Sequence, residues 1–182
     1  GNTASGASTI DPVTGATIIL QNAGTNAAAT VGAITFGTGG TLALRGTGDG
    51  TAANGVTGAL DMSTVSGVTT LSKQDSGTFV LTGSYGGALA TNVTAGRLVA
   101  SNTAGAFGTG TVAISTGATV ELSNTTADVI ELPGIDFTGA GTLEKTGAGI
   151  VSIGGTTQSS VGLSQGGPTL SLIHISQPTR PT

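Results

Sequence analysis

The sequence predicts an all-β protein, a right-handed parallel β-helix (β-solenoid) with about 20 residues per rung. Three observations carry this. Short glycine-led apolar runs recur along the chain at intervals of about 19 residues. Within most of them apolar and polar side chains alternate, the period-two signature of a strand with one buried face. The composition also starves any helix: glycine (33) and threonine (34) dominate the chain, and both are poor helix formers.

The runs, in order, are GATIIL (15–20), GAITF (32–36), GTLALR (40–45), GALDM (58–62) and GTFVL (77–81). They continue as GRLVA (96–100), GTVAI (110–114), GATVEL (117–122), GTLEK (141–145) and GIVSI (149–153). The glycines at 40, 58, 77 and 96 are almost evenly spaced, and the later steps to 117 and 141 widen. GATIIL and GATVEL are nearly the same unit. The alternation directs Ile18, Leu20, Ile34, Phe36, Leu42, Leu44, Leu60, Met62, Phe79 and Leu81 inward. Leu98, Ala100, Val112, Ile114, Val120, Leu122, Leu143, Val151 and Ile153 follow the same phase, with Thr35, Asp61, Glu121, Glu144 and Ser152 outward. Ile19, Val80 and Val99 break the pattern.

One such coil cannot bury its apolar face alone, but stacked coils cover one another. A coil of this length suits a small triangular section with three short strands; in the 77–96 rung the candidates are 77–82, 88–94 and 97–101. About eight rungs are expected. An antiparallel sandwich also uses short alternating strands, but the near-regular spacing of one strand type favours the solenoid. Asn54, Asn92, Asn102 and Asn124 stand near turns, where the amide bonds its own backbone or ladders between rungs.

The same composition excludes several classes of function. Glycine does not recur every third residue, so collagen is out. Charged residues are 8% of the chain, far below a typical soluble domain, and only five are Lys or Arg, so no nucleic-acid footprint is expected. Cysteine is absent, which removes disulfides, zinc–thiolate sites and thiol catalysis together. No apolar stretch approaches the length of a transmembrane helix.

The residues LSKQDSGTFVLTGSYGG (71–87), then TNVTAGRLVASNTAGAFGTGTVAISTGATVEL (91–122) and GAGTLEKTGAGIVSIGGTT (139–157), carry a resemblance. They resemble the autotransporter-associated β-strand repeat of bacterial type V secretion passenger domains. Leu71, Lys73, Gly77, Phe79, Leu81 and Gly83 match its first half, and Tyr85, Gly86, Gly87, Val93, Gly96 and Leu98 its second. Leu143, Lys145, Gly147, Gly149, Val151, Ile153 and Gly154 repeat the first half. The match is strongest over 71–157, and residues 1–70 keep the strands but lack the lysine phrase. The resemblance implies a parallel β-helix passenger over 1–167, read as a stalk or adhesin scaffold, and the sparse ionisable side chains and missing cysteine add the expectation of no catalysis. The resemblance further implies display at the bacterial cell surface or secretion, an outer-membrane β-barrel C-terminal to it, and host glycans or sister passengers as partners. A phage-fibre or extracellular-matrix solenoid is the alternative structural class.

Residues 168–182 depart from this pattern. Glycine stops at Gly167, and LSLIHISQPTRP resembles a translated sequencing adapter; the expectation is a non-native or linker-like tail on a chain cut from something longer. His174, the one histidine, lies there, and no catalytic, cofactor-binding or metal-binding residue is assigned. Glu121 and Glu144 are the acids whose phases place them one coil apart, with solvated outer-face side chains as the expectation. They are also where a polysaccharide-active enzyme, which pectin-lyase-like solenoids exemplify, would keep its acids. The glycine runs lack the Lys–Ser/Thr end and following helix of a phosphate loop. GTGDG (46–50) and DGTAANG (49–55) lack the nine-residue period of calcium-binding glycine–aspartate repeats. One Thr-x-Thr step, Thr109 and Thr111, is no ice-matching array.

Overall fold

The computed structural model describes residues 15–22, 33–47, 60–154 and 162–165. The chain there forms fourteen strands. They are β1 (Thr17–Asn22), β2 (Ile34–Gly46), β3 (Leu60–Asp61), β4 (Val65–Lys73), β5 (Thr78–Thr82), β6 (Ala90–Val93) and β7 (Arg97–Ser101). The rest are β8 (Thr111–Ile114), β9 (Thr119–Ser123), β10 (Val129–Pro133), β11 (Asp136–Gly139), β12 (Thr142–Thr146), β13 (Ile150–Gly154) and β14 (Gly162–Gln165). A 3-10 turn, Met62–Thr64, is capped by the Asp61 carboxylate on the Ser63 N–H.

Two six-stranded sheets, β1-β2-β4-β6-β8-β11 and β14-β12-β9-β7-β5-β3, run along the molecule, with a two-stranded sheet β10-β13 beside them. Every pairing among these strands is parallel. Strands consecutive in sequence lie mostly in different sheets, and each bonds to the strand one coil away. That is a parallel β-solenoid, as the spacing predicted.

Register gives the coil lengths directly. In the first sheet Thr17 lies beside Thr41, Thr41 beside Thr70, Thr70 beside Ala90, Thr91 beside Val112 and Val112 beside Phe137. The step from Thr41 to Thr70 is nearly half as long again as the step from Thr70 to Ala90. In the second sheet the pairs are Leu60–Leu81, Thr78–Arg97, Arg97–Thr119, Thr119–Thr142 and Thr142–Gly162, and these steps are more even. Several coils are thus longer than the glycine spacing suggested, and the described residues stack six strands deep. At the usual strand spacing such a stack spans roughly 24 Å.

Two further expectations are corrected. Segments 77–82, 88–94 and 97–101 all contain strands, but β5 and β6 complete one coil and β7 opens the next. The third side of that coil, residues 83–89, and of the following one, 102–110, is turn chain that inserts Tyr85, Leu89, Ala106 and Phe107 into the core. Among the described residues only β10 and β13 build that side as strand. The regular glycines also split: Gly40 lies in β2 of the first sheet, whereas Gly77, Gly96, Gly117 and Gly141 lead strands of the second. GATIIL and GATVEL, so alike in sequence, fall in different sheets as β1 and β9.

The inward phase holds, and register turns it into columns. One runs Ile18, Leu42, Leu71, Thr91, Val112, Phe137, and its neighbour Leu20, Leu44, Lys73, Val93, Ile114. In the second sheet Phe79, Leu98, Val120 and Leu143 stack, beside Leu60, Leu81, Ala100, Leu122 and Lys145. Ile18, Leu20 and Ile153 are half-buried against this core, and the other inward-phase side chains named from the sequence are buried. Phe107 meets Phe137 edge to face at a centroid distance of 6.3 Å. Of the pattern-breakers, Ile19 is exposed on the outer face, Val80 is half-buried and Val99 is buried. The tail 168–182, His174 and Asn54 lie outside the described residues.

Thr91 is the anomaly in its column: its hydroxyl is buried between Leu71 and Val112 and has no hydrogen-bond partner. A buried unbonded hydroxyl costs about 1–3 kcal/mol. Thr91→Val keeps the shape and β-branching, so we expect it to raise the free energy of unfolding by about 1 kcal/mol in urea titration. A loss of stability would show that the hydroxyl is satisfied in solution.

Candidate functional site

Three charged side chains of the second sheet, Arg97, Glu121 and Glu144, gather on its outer face. β7, β9 and β12 set Val99, Glu121 and Glu144 in register, and Arg97 lies two residues before Val99 on the same face. The guanidinium Nη1 of Arg97 donates to Glu121 Oε2 at 2.5 Å and to Glu144 Oε2 at 2.6 Å. Glu121 Oε1 accepts from the Thr146 hydroxyl at 2.5 Å. The glutamate side chains retain only 16% and 17% of their exposure, against 38% for Arg97. Burial works against the Arg97 charge, but the hydrogen bonds to Glu144 and Glu121 outweigh it and raise its pKa.

The sequence placed these two acids one coil apart, and the structure confirms that placement. It corrects the expectation that both are freely solvated: a residue two positions upstream of their column ties them together. Arg97 was visible in the sequence as the residue after Gly96, but nothing in its local pattern aimed it at acids 24 and 47 residues away. Chemically, the cluster is two carboxylates with a cation between them. A glycosidic oxygen would have to enter where the guanidinium already sits.

A second polar site closes the corner after β4. Lys73 occupies an inward position and is completely buried. Its ammonium donates to the carbonyls of Gln74 at 2.8 Å, Asp75 at 2.8 Å and Ala95 at 3.1 Å. Asp75 turns the corner with φ of 61° and faces its carboxylate away, accepting from Arg45 Nε at 3.3 Å, Arg45 Nη2 at 3.4 Å and the Gly46 N–H at 3.0 Å. Those bonds hold the Asp75 carboxyl below the usual carboxylate range. Gly96, at φ of 70°, seals the corner: a Cβ there would stand 2.4 Å from the Gly77 carbonyl oxygen and 2.7 Å from Lys73 Nζ. Lys145, in the returning phrase, is half-buried and donates to the Gly147 carbonyl at 2.5 Å.

Asparagines finish other corners. Asn124 is fully buried, donating to the Asp128 and Ile150 carbonyls at 2.8 Å each and accepting from the Thr126 N–H and hydroxyl at 3.0 and 2.8 Å. Asn102, with φ of 51°, accepts from the N–H of Thr125, in the next coil, at 2.8 Å. Asn92 is exposed. Among the described residues no three His, Asp or Glu side chains converge as a metal site. Asp11, Asp49 and most of the GTGDG and DGTAANG phrases lie outside them.

The fold and these corners define the class: a parallel β-solenoid whose polar side chains converge on its turns and on one outer ladder. No protein family, curated protein or solved structure matches the chain.

Two outcomes follow. Arg97→Met leaves two shielded carboxylates facing each other, and we expect a loss of about 1–2 kcal/mol, partly recovered by adding Glu121→Gln. Additive effects in that double-mutant cycle would mean the ladder is not coupled. Lys73 supplies the second. Burial lowers its pKa from 10.5 to about 8, partly countered by the Asp75 charge. Between about pH 8 and 10 the unfolded chain therefore holds more protons than the folded one, and stability rises with pH across that window. Below pH 8 this contribution is flat. The Tyr85 phenol, whose pKa burial raises, opposes the trend at the alkaline end. Unfolding midpoints of the parent and Lys73→Met compared at pH 7, 8, 9 and 10 check this: the parent should gain on the variant only above pH 8. A difference that stays constant across the series would show that the buried amine titrates as it does in the unfolded chain.

Proposed function

We propose that this chain is a stretch of a bacterial autotransporter passenger, serving as a structural stalk or adhesin scaffold without catalysis. The observation that carries this reading is where the polar chemistry is spent. Lys73 and Asn124 bind carbonyls of their own turns and of the next coil, and Arg97 bridges the two acids one coil apart. Each of these groups holds coil to coil, as a load-carrying rod requires. The Leu-x-Lys phrase over 71–73, central to the resemblance to passenger repeats, is the phrase that supplies the buried lysine. In this reading the stalk stands at the cell surface or is released from it, follows export with a C-terminal outer-membrane β-barrel, and meets host glycans or sister passengers. Such contacts use the Thr, Ser and Asn side chains of the outer faces, of which Thr111 and Asn92 are exposed examples.

A second reading rests on one observation: Glu121 and Glu144 each reach the same Arg97 nitrogen, so the acids are within about the separation a retaining glycosidase uses. The two readings separate in one assay. The purified chain is incubated with pectin, chitin, peptidoglycan and arabinoxylan fragments beside Glu121→Ala and Glu144→Ala. The scaffold reading expects no turnover above background from any of the three. Turnover that either substitution abolishes would replace it with a polysaccharide-active solenoid. Binding of the chain to a glycan array, unchanged in both variants, would support an adhesive role for the other faces.

A further inference from the structure

We propose that the corner built by residues 73–77 and 95–96 is a monovalent-cation site, which the chain fills with its own Lys73 ammonium and which accepts a small primary ammonium ion once that side chain is shortened. Among the described residues Lys73 is the one charged side chain that is fully buried. Its stem takes the place of an aliphatic side chain in the column between Leu44 and Val93. Beyond the stem, three carbonyl oxygens converge on Nζ at 2.8, 2.8 and 3.1 Å. An ammonium has three donors and no acceptor, so donors and acceptors match one for one.

The lining identifies the ion class. The three oxygens that touch the ammonium are backbone carbonyls, from Gln74, Asp75 and Ala95. The nearest carboxylate, Asp75, is turned outward onto Arg45 and the Gly46 N–H. Dipole-only cages suit monovalent cations, whereas tight divalent sites recruit carboxylates. Space points the same way: the missing Cβ at Gly96 leaves the volume in which Nζ sits, and any side chain there would stand 2.7 Å from it. The site also spans two coils, since Gln74 and Asp75 follow β4 and Ala95 follows β6, the strand beside it. The cation therefore couples neighbouring rungs where their strands have ended.

The test uses the absence of cysteine from the chain. Lys73→Cys is alkylated in denaturant with 2-bromoethylamine, which rebuilds a lysine-length ammonium, or with 1-iodopropane, which gives a neutral arm of the same length. Both adducts are then refolded and unfolded. The aminoethyl adduct is expected to recover the parent's unfolding midpoint and the propyl adduct to fall clearly below it. Equal midpoints would overturn the proposal, because packing of the stem would then suffice. In Lys73→Ala, propylammonium chloride should raise the midpoint progressively with concentration, as a ligand that binds only the folded state does. Tetramethylammonium chloride at the same ionic strength should not, and the parent should respond to neither. Equal responses to the two salts would also overturn it. Should Lys73→Ala fail to fold, the adduct pair decides alone. None of these outcomes bears on polysaccharide turnover, so the cage and the scaffold reading fail separately.

Discussion

The hydrogen bonding of each strand to the same strand one coil away is the constraint on which this molecule depends. It fixes the rise per coil at the parallel strand spacing and brings equivalent residues into register. Once Leu98 lies beside Phe79 and Val120, the inward column follows, and so does a narrow core of stacked aliphatic side chains. Length variation is then absorbed between strands and at the register shifts of β2 against β4. Coils of different length coexist: the shorter steps Thr70–Ala90 and Thr91–Val112 turn Tyr85 and Phe107 inward on the third side, the longer Val112–Phe137 step places strand β10 there, and β2 shifts register against β4 between Thr35 and Thr41.

The corners carry the cost of that arrangement. Where a strand ends, its carbonyls leave the ladder and point into a dry angle between sheets, and each needs a donor. The chain supplies them with few side chains: Lys73 for Gln74, Asp75 and Ala95, Asn124 for Asp128, and Thr103 for Gly83 at 2.5 Å, while Asn124 and Tyr85 also reach carbonyls within strands, at Ile150 and Val68. At Gly96 crowding adds to the demand of a positive φ. A side chain at Gly96 would strike the carbonyls and the ammonium that close the turn.

The scarcity of charge has the same origin. A slim rod has little interior to shelter ions, and one surplus charge on a ladder of identical spacing meets its neighbours about 5 Å away. Arg97 between Glu121 and Glu144 shows how the chain handles an acid pair that register forces together. Such proximity looks like catalytic geometry when acids alone are considered. With the guanidinium included, the pair also forms a tie between coils on an outer face.

The sequence by itself determined the parallel solenoid, the inward phase of its strands and the approximate length of a coil, because period-two alternation and a repeat distance are local quantities. It also placed Glu121 and Glu144 one coil apart, since position along a repeat is arithmetic. Only the tertiary structure decided which sheet each strand joins. GATIIL and GATVEL differ in two residues yet lie in different sheets, as β1 and β9, so the strand's own residues do not set its sheet. The same holds for the lysine phrase: Lys73 ends a strand of the first sheet and is sealed in its corner, while Lys145 lies in one of the second and stays half-buried. Arg97 reaching two acids and Lys73 filling a cage of three carbonyls were equally illegible, since each joins groups from different coils. Their partners become neighbours only after the backbone ladder has set the register.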